Sequence, residues 1–435
     1  MNRKLFFSML LLALCLFANG QENSWSLQKC ISTALQNSID IKIKQLEILR
    51  SRKNYTNPAL GLVPTVGLLA NHSYSFGSTI DPNTNNRVSS DIQWDNFYLN
   101  ANLNLLDFGV FAEAKKGKIG IDLAKADKAV IEYEYKLQLL DKYFEALYAQ
   151  ELIKIMKQQF VNTTFNRDRI IKGVEIGNKP KSDLYDIELA FSQEEKALLE
   201  TEQLFEMHKV QLFQLMFVEN SDIAKVVLET YLLDENQHAS TTTFFNPKIQ
   251  FAELSYKSSK KDVSVLRSEN LPRLSAFYTF SSFYSYPLNQ PGIVNVDNFN
   301  TQFGNNKNHQ AGLQLSIPVF NGFKSNRRIA AFKIESEKAK WATEQEKIKV
   351  NQQIEQEKIR RNQYEQIRQK LQNTVRYAEA SFKTIQSKFT NGKVEAVVFT
   401  SVKNQLLRSE YDLLKNNLQM QYVSLKINLL EKNEL

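Results

Sequence analysis

Two stretches, roughly residues 110–174 and 324–390, read as helix without a break. At 1.5 Å per residue, about 65 residues make a helix roughly 100 Å long, several times the width of an ordinary domain. A helix of that length needs a coiled-coil partner along it. In the first stretch Ala126, Val130, Tyr133, Leu137, Leu140, Phe144 and Leu147 keep a 4-3-4-3-4-3 spacing, which is a heptad seam. A helix in a globular core would carry a broader apolar stripe. Residues 343–370 are wetter, with Ile348, Val350, Ile354, Ile359 and Ile367 nearly the only aliphatic side chains. That pattern suits a helix with water on two sides, as in the wall of a tube. Glycine and proline interrupt helices, and only 14 and 9 of them occur in 435 residues.

The chain also reads twice. Asn37 matches Asn246, and Pro64 matches Pro272, each proline opening a strand. Leu106-Asp107-Phe108-Gly109 matches Phe320-Asn321-Gly322-Phe323, and Gly177-Asn178-Lys179 matches Gly392-Lys393-Val394. The offsets are 209, 208, 214 and 215, an ordered drift with one insertion between the strands. Each repeat is expected to run helix, strand, loop, strand, very long helix, tight turn, helix. The expected helices are 24–56, 110–174 and 181–217, then 247–270, 324–390 and 396–432. The domain plan is a leader at 1–20, repeat one at 21–219, a joint at 220–245 and repeat two at 246–435. The joint, with its Thr run at 241–243, reads as a small irregular side element.

Asn2-Arg3-Lys4, the apolar run Leu5 to Phe17 and the small residues Ala18 and Gly20 form a secretory signal peptide, too short for a transmembrane helix. Leu14 before Cys15 departs from a lipidation site. Cys15 goes with the leader, so Cys30 has no disulfide partner in the mature chain. The net charge is +8, falling to +6 without Arg3 and Lys4. Lys and Glu alternate along the helices without clustering, the pattern of a solvated face rather than a nucleic-acid surface.

The expected strands alternate with a period of two. In residues 97–105 the odd positions are apolar and the even ones mostly Asn; Ala311, Leu313, Leu315, Ile317 and Val319 alternate with polar neighbours and Gly312; Val66, Leu68, Ala70, His72, Tyr74 and Phe76 do the same. A half-buried soluble sheet also alternates. Stretches of about 10 residues, however, have the length of a tilted membrane strand. Tyr74, Phe76, Trp94, Tyr284 and Tyr286 gather at strand ends like an aromatic girdle. The loops at 77–93 and 287–308 are rich in Asn, Asp, Gly and Pro.

Along essentially all of the mature length the chain resembles the TolC-like outer-membrane efflux proteins. The resemblance is carried by Leu27, Ile31, Ala34, Leu35 and Asn37, by the Leu-Pro or Val-Pro before each first strand, by Pro318-Val319-Phe320-Asn321-Gly322 with its degraded counterpart at 105–109, and by the Gly177 and Gly392 turns. It implies a mostly α fold with membrane β: a homotrimer whose chains each give four strands to one outer-membrane β-barrel, continuous with a long periplasmic α-helical coiled-coil barrel. Four strands cannot close a barrel alone. The implied function is a passive exit duct of a tripartite efflux pump or a type I secretion system. The implied partners are a periplasmic adaptor, an inner-membrane transporter and outer-membrane lipid. The alternative is a periplasmic coiled-coil interaction protein without a pore.

Chemistry of other kinds finds no residues. His72, His208, His238 and His309 have no second ligand at metal spacing, and no nucleophile elbow or phosphate loop occurs, so neither an enzyme nor a cofactor is expected. Asp183 and Asp186 lie one helical turn apart just beyond Gly177. The resemblance places them at the tunnel's periplasmic mouth, where three copies make a carboxylate ring; a surface pair on a helix's first turn is the other reading. The matching positions in repeat two are Val398 and Ser401, which carry no charge. The tips themselves are Gly177, Lys179 and Pro180, then Gly392, Lys393 and Val394. Glycine ends one helix and proline restarts the next, and the resemblance makes these tips the adaptor contact, with Val394 and Ala396 as exposed apolar surface.

Overall fold

The computed structural model describes residues 23–80, 84–89, 91–218, 223, 226–230, 244–288 and 296–435. The leader with Cys15, most of the joint with its Thr run, and His238 lie outside the described residues. In chain order the elements are β1 (Asn23–Trp25), α1 (Leu27–Asn37), α2 (Ile39–Asn54), β2 (Thr65–Ser75), β3 (Ser78–Ile80), β4 (Arg87–Ser89), β5 (Ile92–Leu106), α3 (Phe108–Glu175), α4 (Lys181–Leu215), β6 (Val226–Leu228), α5 (Pro247–Ser268), β7 (Arg273–Pro287), α6 (Phe299–Asn305), β8 (Asn308–Ser316), α7 (Lys324–Thr390) and α8 (Ala396–Lys432). They gather into two compact units. One holds Glu47–Ala124 with Ala252–Ala342; the other holds the chain up to Leu46, Lys125–Phe251 and Thr343–Leu435.

In the first unit, β2-β5-β7-β8 form one antiparallel sheet in that order, and β3 and β4 make a separate small hairpin. The 287–308 segment is not wholly loop. Asn298 accepts a hydrogen bond from the Thr301 N–H and starts α6, whose Phe299 and Phe303 pack on Phe97 at 5.8 and 5.4 Å between ring centroids. The two turns from strand to long helix differ. Asp107 caps α3 by accepting from the Gly109 N–H at 2.7 Å, whereas Gly322 and Phe323 take left-handed φ of +65° and +61° before α7.

In the second unit, five of the seven heptad residues of α3 are buried, and Val130 and Leu137 are half-buried. Ala126, Tyr133, Leu140, Phe144 and Leu147 are buried. A second stripe, Leu139, Tyr143 and Ala146, is buried beside them. It lies against an element that short sequence windows do not reveal: β1 pairs in parallel with β6. Tyr143 Oη lies 3.0 Å from the Trp25 carbonyl oxygen and 2.6 Å from that of Glu229. The Gln150 side chain donates to the Leu228 carbonyl and accepts from the Leu228 N–H, both at 2.8 Å. The expected first helix of 24–56 is therefore strand at its start, and it breaks at Ser38, where ψ is 123°. The matched asparagines play the same part in both repeats. Asn37 donates to the Met216 carbonyl at the end of α4, and Asn246 to the Leu430 carbonyl near the end of α8. Cys30 is fully buried, and burial pushes its thiol up to about 12. On α7, Val350 and Ile354 are buried while Ile348, Ile359 and Ile367 face out, a one-sided seam on a wet helix.

Candidate functional site

The candidate sites are two places in the fold: the faces of the four-stranded sheet and the tips of the two helical hairpins. Period-two alternation sorts side chains by face only if the strands are in phase, and here all four are, apart from a register shift on β5 between Asn104 and Leu106. Cross-strand rows on one face read Leu68–Leu99–Phe280–His309, Val66–Ala101–Tyr278–Ala311, Leu103–Ala276–Leu313 and Leu106–Leu274–Leu315. Rows on the other read Leu69–Tyr98–Ser281–Asn308, Gly67–Asn100–Thr279–Gln310, Thr65–Asn102–Phe277–Gly312 and Asn104–Ser275–Gln314. Val66 and Leu68 on β2 and Leu313 and Leu315 on β8 are 61–76% exposed, so the apolar face is open at both outer strands. Phe277 is one large side chain on the polar face, and glycine makes its room: a Cβ at Gly312 would stand 2.9 Å from the Phe277 ring.

The expected aromatic girdle is only partly on the apolar face. Trp94 falls on the polar register and meets Phe283 at 5.8 Å. Tyr284 does lie on the apolar register, but α6 covers it through Phe299. His72 Nδ1 bonds Asp95 on the same face. Among the described residues no cluster of His, Cys, Asp and Glu could hold a metal ion, and no helix is long and apolar enough to cross a membrane.

At the tips, Gly177 and Gly392 both adopt φ +71°. Each is followed by the same pair of closing bonds: Gly177 N–H to Val174 O and Asn178 N–H to Gly173 O, then Gly392 N–H to Phe389 O and Lys393 N–H to Lys388 O, all 2.8–3.0 Å. This is the Schellman ending that a left-handed glycine permits. The tips line one concavity of about 840 Å³ that includes Lys179, Asp183, Asp186, Lys393 and Val394. Arg169 on α3 donates to the Phe389 and Thr390 carbonyls, tying the first hairpin to the second. Lys179 Nζ lies 3.0 Å from Asp183 Oδ2 and 5.6 Å from the Phe389 ring centroid.

The structure separates the two aspartates. Asp183 is buried and paired with Lys179, while Asp186 is half-buried. Val398 and Ser401 are exposed. The apolar tip residues depart from expectation: Ala396 is fully buried and Val394 packs on the cluster of Ile170, Ile187, Phe389 and Phe399. Neither is free surface. The apolar side chains the tips expose include Ile176, Tyr185, Val397 and Val398, positions that the helix phase leaves outside.

Behind the tips lies a buried polar cluster. Lys403 of α8, 1% exposed, donates to both oxygens of Glu194 on α4 at 2.8 and 2.7 Å and bonds Thr163 of α3. Burial pushes its ammonium below the usual range, against the pull of Glu194.

Residues 245–429 match the outer membrane efflux protein family. No curated protein matches the chain by sequence. Solved structures share its fold at low identity: CusC, described in terms of transmembrane channel formation, at 14% identity and TM-score 0.76 over 93% of this chain and 91% of that one; the Campylobacter jejuni CmeC outer membrane channel at 15% and 0.74 over 93% and 84%; and the outer membrane protein VceC of Vibrio cholerae at 14% and 0.73 over 93% and 94%. The family's sequence pattern thus covers the second repeat, and the fold of solved outer-membrane channels covers nearly the whole chain.

Proposed function

We propose that three copies of this chain close one barrel and act as a passive exit duct, either of a tripartite efflux pump or of a type I secretion system. A periplasmic adaptor and an inner-membrane transporter complete the machine. The carrying observation is the sheet: one face mainly apolar in the four rows from Leu68–Leu99 to Leu106–Leu315, the other rich in Asn, Ser, Thr and Gln, with β2 and β8 as outer strands. An open edge in lipid leaves backbone groups unsatisfied, so β8 of one copy must pair with β2 of the next, and a repeated rotation closes the ring. The polar rows then line water. The adaptor contact falls on the tips around Gly177, Lys179, Pro180, Gly392 and Lys393, with Ile176, Tyr185 and Val397 as its apolar part. Asp186 with Val398 and Ser401 borders the mouth, and Asp183 acts there through Lys179.

Mass measurement in detergent, joined to conductance in planar bilayers, tests this. Three chains and a water-filled pore are expected; a stable monomer with full strand content, or a trimer that never conducts, returns the chain to the pore-less reading. The facing is tested by charge. Leu103→Arg or Leu313→Arg should cost about 2–4 kcal/mol near the bilayer midplane, while Asn104→Arg and Gln314→Arg should be tolerated.

A further inference from the structure

The net charge has an address. Residues 47–124 and 252–342 hold 19 Lys and Arg against 13 Asp and Glu, whereas the rest of the chain after the leader is balanced. The sequence shows no cluster, but folding makes one. Lys257, Lys260, Ser264 and Arg267 recur on one exposed face of α5, and that face and Lys333 of α7 line a groove of about 680 Å³.

Several cations elsewhere on α7 are answered by carboxylates one turn away: Lys338 by Glu335, Lys347 by Glu344, Lys358 by Glu355, Arg368 by Glu365. In the groove they are not. Among the described residues Lys257, Lys261, Arg267 and Lys333 have no ion-pair partner, and Lys260 only lies over the Tyr256 ring. The groove's one carboxylate, Glu337, is engaged by Lys340 at 3.3 Å. Lys257 and Lys261 stand at i, i+4, a like-charge spacing that destabilises a helix unless an anion intervenes. Arg267 is six residues before Arg273, the first residue of β7. The groove therefore ends near the start of β7, beside the sheet whose apolar face the proposed function places in lipid.

We infer that the α5–α7 groove is a binding site for a phosphate-bearing anion, either the headgroup of an anionic phospholipid or a soluble phosphate ester. Unpaired ammonium and guanidinium groups converging on one cleft offer charge-assisted bonds to phosphate oxygens, and basic clusters at a membrane's edge recognise anionic headgroups in the same way. The inference does not depend on pore formation.

The test uses the full chain purified in a non-ionic detergent. Titrations are run with phosphatidylglycerol, with phosphatidylcholine as the zwitterionic control, and with inorganic pyrophosphate. Saturable binding of phosphatidylglycerol, pyrophosphate or both is expected, weakened about tenfold or more by the triple change Lys257→Gln, Lys261→Gln, Arg267→Gln. A second triple, Lys154→Gln, Lys157→Gln, Lys196→Gln, removes the same charge from paired surface lysines and should leave binding intact. Phosphatidylglycerol without pyrophosphate identifies a lipid site; both together identify a site open to soluble phosphates. Absence of saturable binding, equal binding of phosphatidylcholine, or equal loss in both triples overturns the inference. Unchanged oligomer mass in each variant shows that the fold survived.

Discussion

At the tip between α3 and α4, Gly177 stands at φ +71°, and four residues later a helix begins; at the tip between α7 and α8, Gly392 stands at the same φ, and again a helix begins four residues later. The backbones keep the register of the duplication, yet the side chains they bury do not. Counting from the glycine, α4 buries its sixth, tenth and thirteenth residues, Asp183, Ile187 and Ala190. On α8 the buried ones are the fourth, seventh, eleventh and fourteenth: Ala396, Phe399, Lys403 and Leu406. A shift of one residue turns the buried face by about 100°. Duplication thus fixed the turn and left each helix to find its own neighbours, so equivalent positions carry unequal burdens.

The eleventh position shows this most sharply. In α8 it is Lys403, enclosed with Glu194 and Thr163; in α4 it is Glu188, which meets Arg167 at 2.9 Å on the surface. Removing one partner of a buried pair strands the other charge and costs on the order of 3 kcal/mol. Lys403→Met should therefore lower the unfolding midpoint in detergent far more than Arg167→Gln, since a surface pair contributes under about 1 kcal/mol. Adding Glu194→Leu to Lys403→Met should recover part of the loss. Equal effects of Lys403→Met and Arg167→Gln would mean that the phase shift has no energetic content.

The turns should behave oppositely, as equals. A Cβ at Gly177 or Gly392 meets nothing within 4 Å, so Gly177→Ala and Gly392→Ala suffer only the left-handed strain, about 1–2 kcal/mol each. A large difference between them would show that one tip is held by more than its backbone.

That split between backbone and side chain also marks what the sequence made legible. Helix spans, the Gly turns and the four membrane-length strands follow from local signals: periods of 3.5 and 2, Leu-Pro starts, left-handed glycines. The buried lysine does not. Its partners Glu194 and Thr163 are over 200 residues away, and a Lys four residues after Phe399 reads as an exposed position until the helix phase is known. The β1–β6 pair was hidden because three-residue strands have no period, and only their long-range pairing defines them. Helix α6 did leave a signal, the asparagine cap before Phe299 and Phe303 at i, i+4, inside a segment whose composition read as loop.

At the mouth the two aspartates should part company. Asp183 is already neutralised by Lys179, so Asp183→Asn should leave ion selectivity nearly unchanged. Asp186→Asn should lower the cation-to-anion permeability ratio by less than about tenfold, since salt screens such charges. Single-channel reversal potentials decide. If Asp183→Asn has the larger effect, the lysine pair opens in the assembled channel. If neither matters, both aspartates sit on the outer surface of the hairpins, and Val398 and Ser401 become the mouth residues to change next.

The smallest effect is at the eighteenth position, where both repeats carry glutamate. Glu195 is exposed, whereas Glu410 is half-buried beside Gln159, and burial pushes its carboxyl above the usual range. A carboxyl with a raised folded-state pKa favours its protonated form in the fold. Its penalty is present at neutral pH and disappears as pH falls through that pKa toward the ordinary value of 4.5. Glu410→Gln removes the penalty, and its new amide can donate to Gln159 Oε1, a buried atom without a partner. The unfolding midpoint should rise at pH 7.5 by the equivalent of less than about 1 kcal/mol. The gain over wild type should shrink steadily as the buffer is taken down toward pH 4.5. Glu195→Gln should move the midpoint at neither pH. A gain at position 410 that persists undiminished in acid would assign it to the new hydrogen bond alone, and a gain at position 195 would remove the difference between the hairpins on which the prediction stands.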